Sequence, residues 1–281
     1  MAEARGSSQT AWGVMTLRAA HQLIDDAPRI LDDPVAVQLV GEEGRAALSR
    51  ADSRVHSPGA RTLRAHVVIR SRHAEDRLQA AVSRGVDQYV ILGAGYDTFA
   101  WRQPEWTHAL RIFEIDHPAS QAAKRDRLSA VGLGQPENLI FAAVDFEHET
   151  LRDGLARAGF DFSRPAFVSC LGVLMYLTEA AAYGVFDFVR TLAPGSEIVA
   201  TFRSARDGEE VGASPLAQAA AAVGEPWLSQ FDPFALQAKL LADGFSVVDL
   251  VSGAELEVRY ALKRRDGIAP GRGISTVRAI V

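Results

Sequence analysis

From about residue 86 onward the chain alternates short apolar runs with longer stretches whose apolar residues recur at helical spacing. The runs at 89–93, 110–115, 139–144, 166–171, 196–202, 245–251 and 275–281 predict seven strands. Amphipathic stretches around 97–102, 118–131, 148–159, 178–192 and 233–243 predict helices between them. Thr178 with Glu179 opens one of these and Pro194-Gly195 closes it, while Asp232-Pro233 starts another that stops at Asp243-Gly244. Such alternation requires crossover connections, so the expected fold is α/β: a doubly wound, mostly parallel seven-stranded sheet covered on both faces. No clear helical pattern separates the last two strands, which are expected to form an antiparallel hairpin, with the final strand antiparallel to the rest.

The first 85 residues read differently. Helices at 14–25, 34–49 and 60–84 are joined by polar links such as SRADSRVHSPG, and no strand periodicity interrupts them. Residues 1–85 are therefore expected to form an N-terminal helical cap over one edge of a sheet domain at 86–281. The segment 204–232, rich in Ala, Gly and Pro, interrupts the alternation and is a candidate lid.

Composition narrows the function classes. With 281 residues, 48% of them hydrophobic and 23% charged, the chain can bury a substantial core. A formal charge of −5 offers no basic field for nucleic acid. No stretch has the length of a membrane span, and MAEARGSSQTAWG lacks the order of a signal peptide, so a cytoplasmic location is expected, as a monomer or homodimer. The single cysteine, Cys170, excludes an internal disulfide and reads as a core residue. The seven histidines form no metal-binding motif, and no metal is expected.

The strongest chemical signal is QYVILGAGYDTF at 88–99, where an apolar strand breaks at Gly93-Ala94-Gly95 and meets Asp97-Thr98, an expected helix start. Glycines at such a break bring backbone N–H groups up to a ligand with no side chain in the way. In an open parallel sheet, ligands sit beyond the carboxyl ends of the strands. There the chain places Glu114 and Asp116 after the second strand, Asp145 and Phe146 after the third, and Gly172 and Tyr176 after the fourth. A carboxylate at the second strand end suits the two hydroxyls of a ribose; Asp145 with Phe146 suits an adenine, the acid taking the amine and the ring offering an apolar face. Alternation puts Glu114 and Asp116 on one face, so one of them could be a supporting residue. Asp97 reads as an N-cap, a ligand contact, or both.

Two cofactors could use this layout. A dinucleotide normally calls for a third glycine, where this chain has Thr98, and Asp97 would repel a pyrophosphate. S-adenosylmethionine, with a cationic sulfonium and amine, tolerates that acidic neighbourhood better. A nicotinamide dehydrogenase remains the rival class.

Taken together, GAGYDTFAWR at 93–102, FEIDHP at 113–118, VDF at 144–146 and VLMYLT at 173–178 resemble the leucine carboxyl methyltransferase family. The closest likeness is to its bacterial branch of S-adenosylmethionine-dependent methyltransferases, which includes carboxyl methyltransferases of polyketides and other small molecules. ILDDPVA at 30–36, IRSRHAED at 69–76 and RYALKRRDG at 259–267 extend the resemblance over most of the chain.

The resemblance implies a class I, Rossmann-like methyltransferase fold. It also implies that Gly93, Ala94 and Gly95 hold the methionine part of the cofactor, Asp116 with Glu114 nearby the ribose, Asp145 and Phe146 the adenine, and Arg70 the cofactor carboxylate. Many members have a glutamate contacting the methionyl amine where this chain has Leu171, so either a backbone carbonyl there takes the amine or the pocket differs.

The expected reaction is O-methylation of a carboxylate on a small acidic, secondary-metabolite-like substrate. Alternatives are methylation of a phenol or other hydroxyl, and a cofactor-binding homologue without turnover. A carboxylate is already ionised at neutral pH, whereas a phenol, with a pKa of about 10, would gain from a general base. Arg18, Arg72, Arg203 and Arg259 are candidates for orienting such a carboxylate, with Tyr176 as a donor. Arg203, immediately after the fifth strand, is the best placed.

Overall fold

The computed structural model describes residues 9–146, 148–205 and 211–281. Residues 1–8, the first part of the stretch read above for a signal peptide, and positions 206–210 of the candidate lid lie outside the described residues. The elements run α1 (Gln9–Ile24), α2 (Pro34–Ser49), α3 (Pro58–Val82), β1 (Gln88–Leu92), β2 (Arg111–Asp116), α4 (Pro118–Ala130), β3 (Leu139–Ala143), α5 (Leu151–Arg157), β4 (Ala166–Cys170), α6 (Glu179–Arg190), β5 (Glu197–Arg203), α7 (Pro215–Ala222), α8 (Pro233–Ala242), β6 (Val247–Val251), α9 (Gly253–Tyr260) and β7 (Ile274–Ile280).

The helix starts have local causes. Thr178, Asp232, Ser57 and Asp33 each accept a backbone N–H in the first turn of the following helix, and α2, α3, α4 and α8 begin on proline, which has no N–H to leave unpaired.

The sheet has seven strands in the order β3-β2-β1-β4-β5-β7-β6. β1 to β5 are mutually parallel, and β7 runs antiparallel between β5 and β6. Strand order reverses between β1 and β4, which places the Gly93–Gly95 loop beside Gly172 at the switch point.

Period-two alternation splits the core into two layers. Val90, Phe113, Val168, Ile198 and Phe202 face α5, α6 and α8 on one side, where Cys170 is also buried, its thiol pushed up to about 12 by burial. Tyr89, Ile91, Ile112, Phe167 and Val199 face α3 through Ala74, Leu78 and Ala81 on the other. α3 is thus as much a layer of the sheet as part of a cap. α1 and α2 pack on each other through Met15, Ala19, Val35 and Leu39, and on α4 through Leu128.

Two expectations need correction. No α-helix spans 97–102; a single 3-10 turn, Phe99–Trp101, stands there, because the Asp97 carboxylate takes the Phe99 N–H at 2.8 Å and Thr98 turns inward to Asp33. Also, β6 and β7 are joined through a helix, α9, opened by a capping box in which Ser252 and Glu255 bond each other's backbone N–H. The final strand is antiparallel as expected, but it pairs with β5 as well as β6. Among the described residues, no helix is long and apolar enough to cross a membrane.

Candidate functional site

The loop after β1 is built on two left-handed glycines, Gly93 (φ +63°) and Gly95 (φ +49°). A Cβ at Gly93 would lie 2.5 Å from Val173 Cγ2, where something must shift, and one at Gly95 would lie 3.0 Å from Ala11 Cβ, a tight contact; at both positions the left-handed backbone would also be strained by a side chain. The Gly93 and Ala94 N–H groups donate to the Ile115 carbonyl, and Gly95 N–H donates to Asp116 Oδ2 at 2.5 Å. Asp116 Oδ1 accepts the His117 N–H at 2.7 Å. Each oxygen of this carboxylate is thereby fixed by a backbone donor and keeps a lone pair for a further one. Burial raises its pKa, and the two backbone N–H groups work against that rise.

Asp97 caps no α-helix. Its second oxygen pairs with Arg18 Nη1 at 3.2 Å. Burial works to raise its pKa, but Arg18, Lys124, Arg102 and the Phe99 N–H together hold it below the usual carboxylate range. Arg18 continues to Asp33, 3.0 Å from its Nε, and Asp33 also accepts the Thr98 hydroxyl at 2.7 Å and the Ala36 N–H at 3.1 Å. Arg102 closes the set by gripping Glu75 of α3 through both oxygens. This buried network of charges ties α1, α2 and α3 to the glycine loop.

On the β4 side the key group is Arg70. It is 9% exposed, and its guanidinium lies against Gly172 (φ +74°), where a Cβ would sit 2.5 Å from Arg70 Nη1. The Gly172 N–H donates to Thr201 Oγ1 at 2.7 Å. Burial lowers the Arg70 pKa to about 10, with Arg18 acting in the same sense and Tyr176 and Asp97 opposing. Its buried Nε has no hydrogen-bond partner among the described residues. A buried guanidinium with an unanswered donor is a place for an anion.

The other sequence-predicted residues fall into three groups. Glu114 is fully buried behind Asp116, 2.5 Å from Lys124 Nζ; burial raises its pKa to about 7 against the pull of Lys124. This depth gives it a supporting place beneath the cleft. Asp145 is half-buried and 2.9 Å from His148 Nδ1, while Phe146 beside it is 63% exposed, an uncovered aromatic ring at the strand end. Leu171 packs into the core layer shared with α3 and presents no polar side chain to the cleft.

At the far end of the site, the close of β5 lies against the 3-10 turn Leu174–Tyr176. Arg203 is 6% exposed, and its guanidinium carbon stands 5.5 Å from the centroid of Trp227. Trp227 and Tyr176 belong to one apolar cluster with Met175 and Ala217. Tyr176 and Arg203 are thus brought to the same end of the cleft. Arg72 and Arg259 are not; Arg72 is half exposed and paired with Asp76 at 2.8 Å, and Arg259 is exposed on α9. Arg18 serves the loop network. Sequence reading missed Asp33 and Trp227, whose roles arise only from contacts across the chain.

The arrangement offers, in order along the strand ends, an exposed aromatic face, a fixed carboxylate, a glycine cradle, a buried arginine with a free donor, and a second buried arginine beyond it. Residues 11–190 match the leucine carboxyl methyltransferase family. A Bacillus subtilis (strain 168) protein provisionally named S-adenosyl-L-methionine-dependent methyltransferase YktD is 31% identical over 218 residues, covering 76% of this chain and 71% of its own length. A protein of Mycolicibacterium paratuberculosis with the same kind of provisional name is 31% identical over 204 residues, and the chain spans only 64% of that relative's length. Among solved structures, a DUF574 family protein from Streptomyces avermitilis superposes with a TM-score of 0.55 at 17% identity, covering 98% of this chain and 97% of its own. A provisionally named methyltransferase from Thermobifida fusca does so at 0.55 and 19%, covering 95% and 93%. Both share the fold.

Proposed function

This chain belongs to the leucine carboxyl methyltransferase family and is an S-adenosylmethionine-dependent methyltransferase, and we propose that it methylates a carboxylate of a small acidic molecule to a methyl ester. The family match removes the nicotinamide dehydrogenase alternative. The observation that carries the carboxylate reading is Arg203, a buried cation at the end of β5 in the same cluster region as Tyr176.

The residues fit the cofactor. Arg70 would hold its carboxylate, Gly93 to Gly95 the methionyl chain, Asp116 the ribose hydroxyls, and Asp145 with Phe146 the adenine. With Leu171 where many family members have a glutamate, either a backbone carbonyl of that segment would take the amine or the pocket differs there.

When bound, S-adenosylmethionine supplies a methyl group on a cationic sulfur, open to in-line displacement. Arg203 and Tyr176 would hold the acceptor carboxylate in line with that methyl, which is the main contribution required of a nucleophile already ionised. A hydroxyl acceptor would need a general base. His66, one turn from Arg70 on α3, is held down at about 3 by burial and by Arg70, too low to serve as that base.

The test is a panel of carboxylic acids and phenols incubated with S-adenosylmethionine and followed by mass spectrometry. Gain of one methyl by acids and not by phenols is expected; the reverse preference overturns the carboxylate reading.

A further inference from the structure

The segment 227–231 is hydrogen-bonded to the turn that carries Tyr176 and to the backbone of Arg203. Leu228 N–H donates to the Met175 carbonyl at 2.7 Å, and Ser229 Oγ donates to the Leu174 carbonyl at 2.9 Å. Phe231 N–H donates to the Arg203 carbonyl at 2.9 Å, and Ala205 N–H donates back to the Phe231 carbonyl at 2.8 Å. These bonds fix Trp227 between the Tyr176 turn and the end of β5.

The indole is 6% exposed and packs with Met175, Ala217 and Ala220, with Tyr176 and Ile274 beside them. Its Nε1–H is buried with no acceptor among the described residues. A buried indole N–H normally finds a partner, because leaving it unpaired is costly. Here it lies in a ring over which the Arg203 guanidinium stands. An unanswered donor next to a buried cation is the complement of a carboxylate oxygen.

We propose that Trp227 is a specificity-determining, substrate-contacting residue whose Nε1–H donates to one oxygen of the acceptor carboxylate, with Arg203 matching the charge. Met175, Ala217, Ala220 and Ile274 then receive the apolar body of the acid. These side chains are apolar, so the substrate class is an amphipathic carboxylic acid. This rests on the carboxylate reading of the preceding subsection.

The test uses the full chain with S-adenosylhomocysteine present, so that nothing turns over, and titrates benzoate and octanoate against their neutral amides. Binding is read by calorimetry for the wild type, Trp227→Phe and Trp227→Leu. Trp227→Phe keeps an aromatic ring and removes the donor. Expected are binding of the acids over the amides in the wild type, a loss of about tenfold in acid affinity in Trp227→Phe, and unchanged S-adenosylhomocysteine affinity in both variants, which also shows that they fold. Equal acid affinity in wild type and Trp227→Phe overturns this inference and leaves the carboxylate reading standing. No preference for acid over amide in the wild type, or no binding of either acid, overturns both.

Discussion

The two ends of the cleft are held together by different forces. At the glycine-loop end, Arg18, Asp33, Asp97, Arg102 and Glu75 form a buried network of charges that fixes the loop against three helices. At the Trp227 end, which the proposal assigns to the substrate, the 227–231 strap is held mainly by backbone hydrogen bonds, and Trp227 meets an apolar cluster. A buried charge network tolerates one geometry, because each member left without its partner is costly. A strap pinned by backbone can change its side chains without losing its place. The first end therefore suits an invariant ligand, and the second suits a variable one.

The largest effect on this contrast is expected from Gly172→Ala. The added Cβ would strain a left-handed residue and press on Arg70, so cofactor affinity should fall by roughly 100-fold, for a cost of about 3 kcal/mol. Calorimetric titration with S-adenosylhomocysteine measures it; an unchanged affinity would mean that Arg70 does not need its present position.

A smaller effect concerns the buried floor of the glycine-loop end. Burial raises Glu114 to about 7, from 4.5. A carboxyl that holds its proton more tightly when folded stabilises the fold fully below its unfolded pKa and loses that contribution as pH rises through about 7. The urea midpoint should therefore decline between about pH 5 and pH 8, and Glu114→Gln, which keeps an oxygen facing Lys124, should flatten the decline. A wild-type midpoint that climbs over this range contradicts the assignment.

How far the sequence could be read follows the same division. Gly93, Gly95 and Asp116 stood out because the conformation they serve is local, a strand end that must turn sharply and bond its neighbour. The strand count and the antiparallel final strand were legible from periodicity. The helix expected at 97–102 failed because the partners of Asp97 and Thr98, Arg18 and Asp33, lie 79 and 65 residues away and draw those side chains inward. α9 was missed although Ser252 and Glu255 carry the spacing of a capping box. That Asp116 reaches the cleft while Glu114 supports it could not be separated by alternation; Lys124 on α4 decides it. Trp227 gave no local signal, since its place depends on backbone bonds to Met175 and Arg203.

The contrast itself is tested most directly by titrating S-adenosylhomocysteine into Arg70→Met and Arg203→Met side by side. Arg70→Met is expected to lose about ten- to 100-fold in cofactor affinity, while Arg203→Met binds it as the wild type does and loses only affinity for acids. Equal losses of cofactor affinity in the two variants, or a loss in Arg203→Met alone, would contradict it.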